Sequence, residues 1–255
     1  MKLIRGGLIT IGLLAVAGAA QAGVTSTWTA TNDYDFRGNS QSAKDPALQG
    51  SLDYAAASGW YVGAWASNID FGVPSGGPLK NPDIELDVYG GYTKTLDSGY
   101  IYDFGVVAYT YPQETDFTYE EIYGSIAKGW FKAKLWYSPE FGGKAAKDLS
   151  RSLGNGSSVS AWYGQIDGTF PLPANFSIGA HLGYSTGDYW TNAFGDDQLD
   201  WSLGVNYTVG KFALGLKYVD TSGDIKINKS TVGTDAFSNE GRVIFTVATT
   251  FPWGE

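Results

Sequence analysis

The sequence predicts an all-β protein, a single closed, antiparallel, up-and-down transmembrane β-barrel of about 12 strands occupying residues 23 to 255. Three observations predict it. Apolar residues alternate with polar ones at a period of two along most of the chain, as in Trp201, Leu203, Val205 and Tyr207 against Ser202, Gly204 and Asn206. Connections alternate between tight turns and long polar loops, the asymmetry of an outer-membrane barrel. Composition agrees: glycine is 35 of 255 residues, nearly twice the average usage of about 7%, while aromatics reach 15% and charged residues only 17%.

The first element is a secretory signal, residues 1 to 22: Lys2 and Arg5, an apolar run from Leu8 to Ala20, and the small-residue site Ala20-Gln21-Ala22. The apolar run is shorter than the roughly 20 residues of a spanning helix, and no stop-transfer charge follows it. Cleavage after Ala22 removes two of the 17 basic residues and none of the 26 acidic ones, leaving a net charge of about −11 on 233 residues. That balance argues against nucleic acid as a partner. The absence of cysteine and the single histidine, His181, exclude a disulfide scaffold, a thiolate metal site and a multi-histidine zinc site, and no cofactor is implied.

Strands follow near residues 24 to 34, 47 to 56, 59 to 68, 83 to 96, 99 to 110, 117 to 127, 130 to 138, 159 to 170, 175 to 185, 199 to 208, 211 to 219 and 241 to 251. Most have the roughly 9 to 11 residues of a tilted membrane strand. Tight links fall at Ala57-Ser58, Asp97-Ser98, Lys128-Gly129, Pro171 to Ala174 and Val209-Gly210. Long ones run from Asp35 to Pro46, Ile69 to Pro82, Tyr111 to Asp116, Glu140 to Ser158, Thr186 to Gln198 and Asp220 to Glu240. All nine prolines lie in connections or after the last strand, as ladder hydrogen bonding requires.

Two faces follow from the alternation. The apolar parity is the lipid face, with Trp28, Tyr34, Tyr54, Trp60, Tyr92, Tyr100, Tyr102, Tyr137, Trp162, Phe170, Tyr184, Trp201, Tyr207, Tyr218 and Phe251 at the girdle positions near strand ends. The opposite parity is the pore-lining set: Asp33, Asp35, Arg37, Asp53, Glu85, Asp87, Asp103, Glu121, Lys132, Lys134, Asp167, Asp200, Lys217 and Arg242. A soluble β-sandwich shows the same parity with the medium reversed; loop asymmetry, strand length and aromatic positions favour the barrel.

The acidic members of the lumen set suit either a cation-preferring constriction or a ladder of paired charges in a narrow barrel. The basic members, distant in sequence from most of the acids, suggest either one acidic and one basic wall or cross-lumen salt bridges. Tyr61, Trp65, Tyr89, Tyr109, Tyr119, Tyr123, Trp136 and Tyr163 share the lumen parity, as a track for sugar rings or, more simply, as amphipathic filler. His181 lies on the lumen parity with no His-x-Ser arrangement, which reads as a satisfied lumen histidine rather than the base of a barrel lipase. Asp196, Asp197 and Asp200 lack EF-hand spacing and read as an acidic solvated loop, bridged to lipopolysaccharide by divalent cations.

The segment Asn32-Asp33-Tyr34-Asp35-Phe36-Arg37-Gly38-Asn39-Ser40-Gln41 resembles the N-terminal signature of the TorF family, porin-like outer-membrane proteins of poorly defined function. The resemblance continues through Pro46 to Tyr54, Gly63 to Phe71, Glu85 to Tyr89 and Tyr102 to Gly105. It covers much of the first half in sequence and the second half in pattern. It implies an outer-membrane channel and does not name a solute. Pro252-Trp253-Gly254-Glu255 extends past Phe251, the terminal aromatic of a usual assembly signal, so the barrel-assembly machinery is expected to read an internal signal.

Together these features imply an outer-membrane channel for passive passage of small polar solutes or ions, narrowed by inward loops such as Glu140 to Ser158. The alternatives are a lipid-modifying barrel enzyme and a closed structural or surface-binding barrel.

Overall fold

The computed structural model describes residues 22 to 223 and 235 to 252; the signal segment before Ala22 and the extension after Pro252 lie outside them. Period-two alternation becomes twelve long strands: β1 (Gly23–Thr31), β4 (Ala47–Ala55), β5 (Trp60–Asn68), β6 (Ile84–Thr95), β7 (Ile101–Thr110), β8 (Tyr119–Lys128), β9 (Phe131–Ser138), β10 (Ala161–Pro171), β11 (Phe176–Thr186), β12 (Gln198–Val209), β13 (Phe212–Thr221) and β14 (Arg242–Phe251). Each pairs antiparallel with its sequence neighbour, and β1 pairs with both β4 (Ala30↔Leu48) and β14 (Trp28↔Thr249), closing the barrel. The remaining two strands, β2 (Asp35–Phe36) and β3 (Asn39–Ser40), form a hairpin of their own.

The tight turns and the long loops fall at opposite ends of the barrel, because every strand reverses direction. Among the long loops, Glu140 to Ser158 contains a helix, α1 (Gly143–Ser152), rather than open coil. Gly143 sits at φ +64°, and a Cβ there would lie 2.4 Å from the Thr118 carbonyl oxygen, so glycine allows α1 to pack on the turn at Thr115–Phe117. One strand end differs from expectation: β10 includes Pro171, whose missing N–H is tolerated at a strand terminus.

The outward parity leaves Leu52, Phe104, Ile122, Ile166, Leu203 and Val243 more than half exposed around the barrel. No second sheet covers them among the described residues, so this is not the inner face of a sandwich. A continuous apolar wall on this scale needs an apolar medium, and a closed sheet has no unpaired edge to present to it.

The packed core is the lumen. Tyr109 and Tyr119 stack at 4.6 Å between ring centroids, Tyr119 contacts Phe141, and Phe141 contacts Tyr189, each pair also at 4.6 Å. Phe71, from the connection after β5, packs on Tyr111, Phe117 and Phe237. Loop aromatics therefore fold over the barrel mouth at the long-loop end and meet wall aromatics inside it.

Candidate functional site: a hairpin across the lumen

The sequence expectation ran the first strand to residue 34 and placed Asp33, Asp35 and Arg37 on the wall. The structure corrects this. β1 stops at Thr31, and the chain turns inward into the β2–β3 hairpin, so wall parity ceases to apply beyond that point. Tyr34, expected on the lipid face, is consequently 3% exposed and packs against Trp65 inside the lumen.

The hairpin is built locally. Arg37 and Gly38 link its strands with φ of +53° and +83°, the two positive angles of a type I′ turn. Ser42 Oγ accepts the Tyr34 N–H at 3.0 Å, the Gln41 N–H donates to the Tyr34 carbonyl at 2.7 Å, and Ser40 Oγ donates to Asp33 at 2.5 Å.

Its charges reach opposite walls. On one side Arg242 donates to Asp33, to Asp35 at 3.0 Å and to the Gly38 carbonyl at 2.9 Å, while Lys217 Nζ lies 2.7 Å from Asp35. On the other, the Arg37 guanidinium forks onto both oxygens of Glu121 at 3.0 and 2.6 Å, and the Tyr109 hydroxyl donates to the same carboxylate at 2.9 Å. Glu121 on β8 and Arg242 on β14 are six strands apart in a ring of twelve, so the hairpin crosses the full diameter. The guanidinium also lies 4.3 Å from the Tyr163 ring centroid and 4.7 Å from that of Phe36. Burial opposes the Arg37 charge, and the adjacent Glu121 outweighs it, raising its pKa above the ordinary arginine value.

The other expected lumen residues fall into separate groups. Glu85 and Asp87 are buried on one face of β6, with Trp65 and Tyr109 directly opposite Asp87, and no ion pair reaches them among the described residues. Asp53 accepts from Tyr89 and from Ser51 at 2.7 Å, and Asp103 accepts from Tyr61 at 2.6 Å; these lie toward the tight-turn end and are half-buried. Lys134 is buried with its ammonium 3.6 and 3.7 Å from the Tyr123 and Trp136 ring centroids. Lys132 stands opposite Asp167 across β9 and β10.

His181 on β11 bridges Asp167 at 2.7 Å through Nδ1 and Asp200 at 2.8 Å through Nε2, with the Tyr163 hydroxyl 3.0 Å from Nε2. Its hydrogen-bond partners are two carboxylates and a phenol rather than a serine. Because Asp200 faces the lumen, it is separated from Asp196 and Asp197, and the expected acidic loop cluster is divided; Asp197 instead accepts from Tyr184 and Thr186.

The arrangement is not one acidic and one basic wall. Acids stand on β4, β6, β7 and β8, but β9 is basic, Asp167 and Asp200 follow on β10 and β12, and Lys217 and Arg242 are matched by acids that the hairpin brings to them. The lumen aromatics are packed around this network rather than lining an open track. Gln198 and Asn239 were not singled out by the sequence; Gln198 donates to the Arg37 carbonyl at 2.9 Å, and Asn239 to Gln198. Gly38, two residues after Phe36 and directly before Asn39, was the available signal for a turn here.

A family model described as "Bacterial protein of unknown function (Gcw_chp)" matches residues 16 to 251. The chain belongs to the Gcw_chp family. No curated protein matches this Gcw_chp chain. Among solved structures, the KdgM porin aligns with a TM-score of 0.50 at 9% identity, covering 91% of this chain and 100% of that one, and the KdgM porin in complex with disordered oligogalacturonate aligns equally. The NanC porin in a rhombohedral crystal form aligns with a TM-score of 0.50 at 10% identity, covering 89% and 98%. At these identities the likeness is one of fold: this Gcw_chp member has a closed twelve-stranded antiparallel barrel like that of those porins.

Proposed function

We propose that the protein is a narrow outer-membrane channel for small polar solutes and ions, cation-preferring, and constricted near its long-loop end by the β2–β3 hairpin. The observation that carries this reading is the ion-paired hairpin spanning a porin-like barrel, with half-buried Asp53 and Asp103 left toward the other end. The charged lumen residues of the wall and the hairpin together hold nine carboxylates against five Lys and Arg side chains, and acidic lumens concentrate cations. In this reading residues 1 to 22 are the cleaved export signal, the long loops face lipopolysaccharide, and the barrel-assembly machinery inserts the chain. The TorF-type signature of the N-terminal segment agrees with a porin role. A second reading, a sealed structural barrel, is favoured by the packed aromatic layer.

Planar-bilayer recording of the detergent-folded protein distinguishes them. The channel reading expects small discrete steps and a cation-selective reversal potential in a salt gradient, with Asp53→Asn plus Asp103→Asn shifting that potential toward zero. Silence from verified, inserted barrels would instead establish the sealed form.

A further inference from the structure

The outward wall carries a groove of about 640 Å³ running over β7 to β10. Gly124 forms its floor, and Phe104, Ile122 and Leu135 stand exposed around the missing side chain. Tyr137 and Trp162, 4.5 Å apart between ring centroids, mark its long-loop end, and Tyr102 its tight-turn end. Beside Tyr102 the surface turns basic. Lys94 is directly opposite Tyr102 in the β6–β7 register, Ile126 is opposite it on β8, and Lys128 follows Ile126 by two residues on the same face. Both lysines are exposed, and the Lys128 ammonium lies 4.1 Å from the Tyr100 ring centroid. Two strands apart, their backbones are separated by about 10 Å across the sheet.

We infer that this groove binds one anionic glycerophospholipid of the periplasmic leaflet, an acyl chain lying over Gly124 and the headgroup phosphate held between Lys94 and Lys128. The inference rests on the reading of this wall as the lipid face and of the tight-turn end as periplasmic. An apolar groove alone accepts any acyl chain of the surrounding bilayer. What selects a headgroup is the lysine pair, because a lysine stem can lie along apolar surface while its ammonium group reaches the depth of the lipid phosphates.

Native mass spectrometry of the detergent-folded protein, titrated with equal amounts of phosphatidylglycerol and phosphatidylethanolamine, tests this. Heat-dependent gel mobility establishes folding separately for every variant. The expected result is one phosphatidylglycerol adduct that survives collisional activation, favoured several-fold over phosphatidylethanolamine. Lys94→Gln with Lys128→Gln brings the two lipids to equal retention. Gly124→Leu, whose Cβ meets only the outward Phe104 ring at 3.1 Å, removes the retained adduct of either lipid. Equal retention of both lipids by the unaltered protein, the absence of any surviving adduct, or an unchanged preference in the lysine variant would overturn the inference.

Discussion

At Arg37 one residue combines a left-handed backbone with a buried charge, and each is tolerable only because of the hairpin's cross-lumen pairing. Removing one partner of a buried pair strands the other, a cost of about 3 to 5 kcal/mol. Arg37→Met is therefore expected to lose that much in urea unfolding from lipid vesicles, and Arg37→Met with Glu121→Leu to recover most of it. Asp35 supplies a pH dependence. Burial raises its carboxyl, but the Lys217 and Arg242 charges outweigh burial and hold its pKa below the ordinary carboxylate value. Its contribution to docking is thus fully present above about pH 4 and is lost as pH falls through the lowered native value. Conductance should rise only below that point, whereas Asp35→Asn should show the higher conductance already at neutral pH. Asp87 behaves oppositely: a fully buried carboxylate without an ion pair costs stability, so Asp87→Asn should stabilise the barrel by about 1 to 3 kcal/mol in the same unfolding assay. Residue types at these positions were readable as lumen charges. Their partners were not, since Arg37 and Glu121 are 84 residues apart and Asp35 and Arg242 are 207 apart, and only ring closure brings them together.

Among the elements, the twelve long strands were legible because alternation, proline exclusion and turn chemistry all report the same local preference. The hairpin and α1 were not, because each is short and is held by contacts with the wall or with neighbouring loops. Gly38 shows the dependence. At φ +83° a Cβ there would lie 2.4 Å from Thr221 Cγ2 and 2.9 Å from Asp200 Cβ, so Gly38→Ala should push the hairpin out of its seat while leaving the strands intact. The expected signature is increased single-channel conductance with unaltered heat-dependent gel mobility. The ion pairs along α1, Lys144 with Asp116 and Asp148 and Arg151 with Asp148, are solvent-exposed and contribute little to this geometry.

For the whole molecule, the medium of each face sets the sign of a substitution. Val106 is 55% exposed at the middle of β7, and Val106→Arg should destabilise the inserted barrel by about 2 to 4 kcal/mol, measured against the unaltered chain in vesicles. The sequence by itself determined the strand number, the alternation of two faces and the separation of tight turns from long loops, since all of these follow from a two-residue period and from where the chain can turn. Tertiary structure decided that β1 ends early, that Tyr34 leaves the expected lipid face, and that Arg37, Asp33 and Asp35 span the lumen instead of lining it. The physical reason is that alternation carries information only while a strand remains in the wall. Once the chain leaves the wall, its course is set by which buried charges need partners and by which strands closure has placed across the lumen from one another.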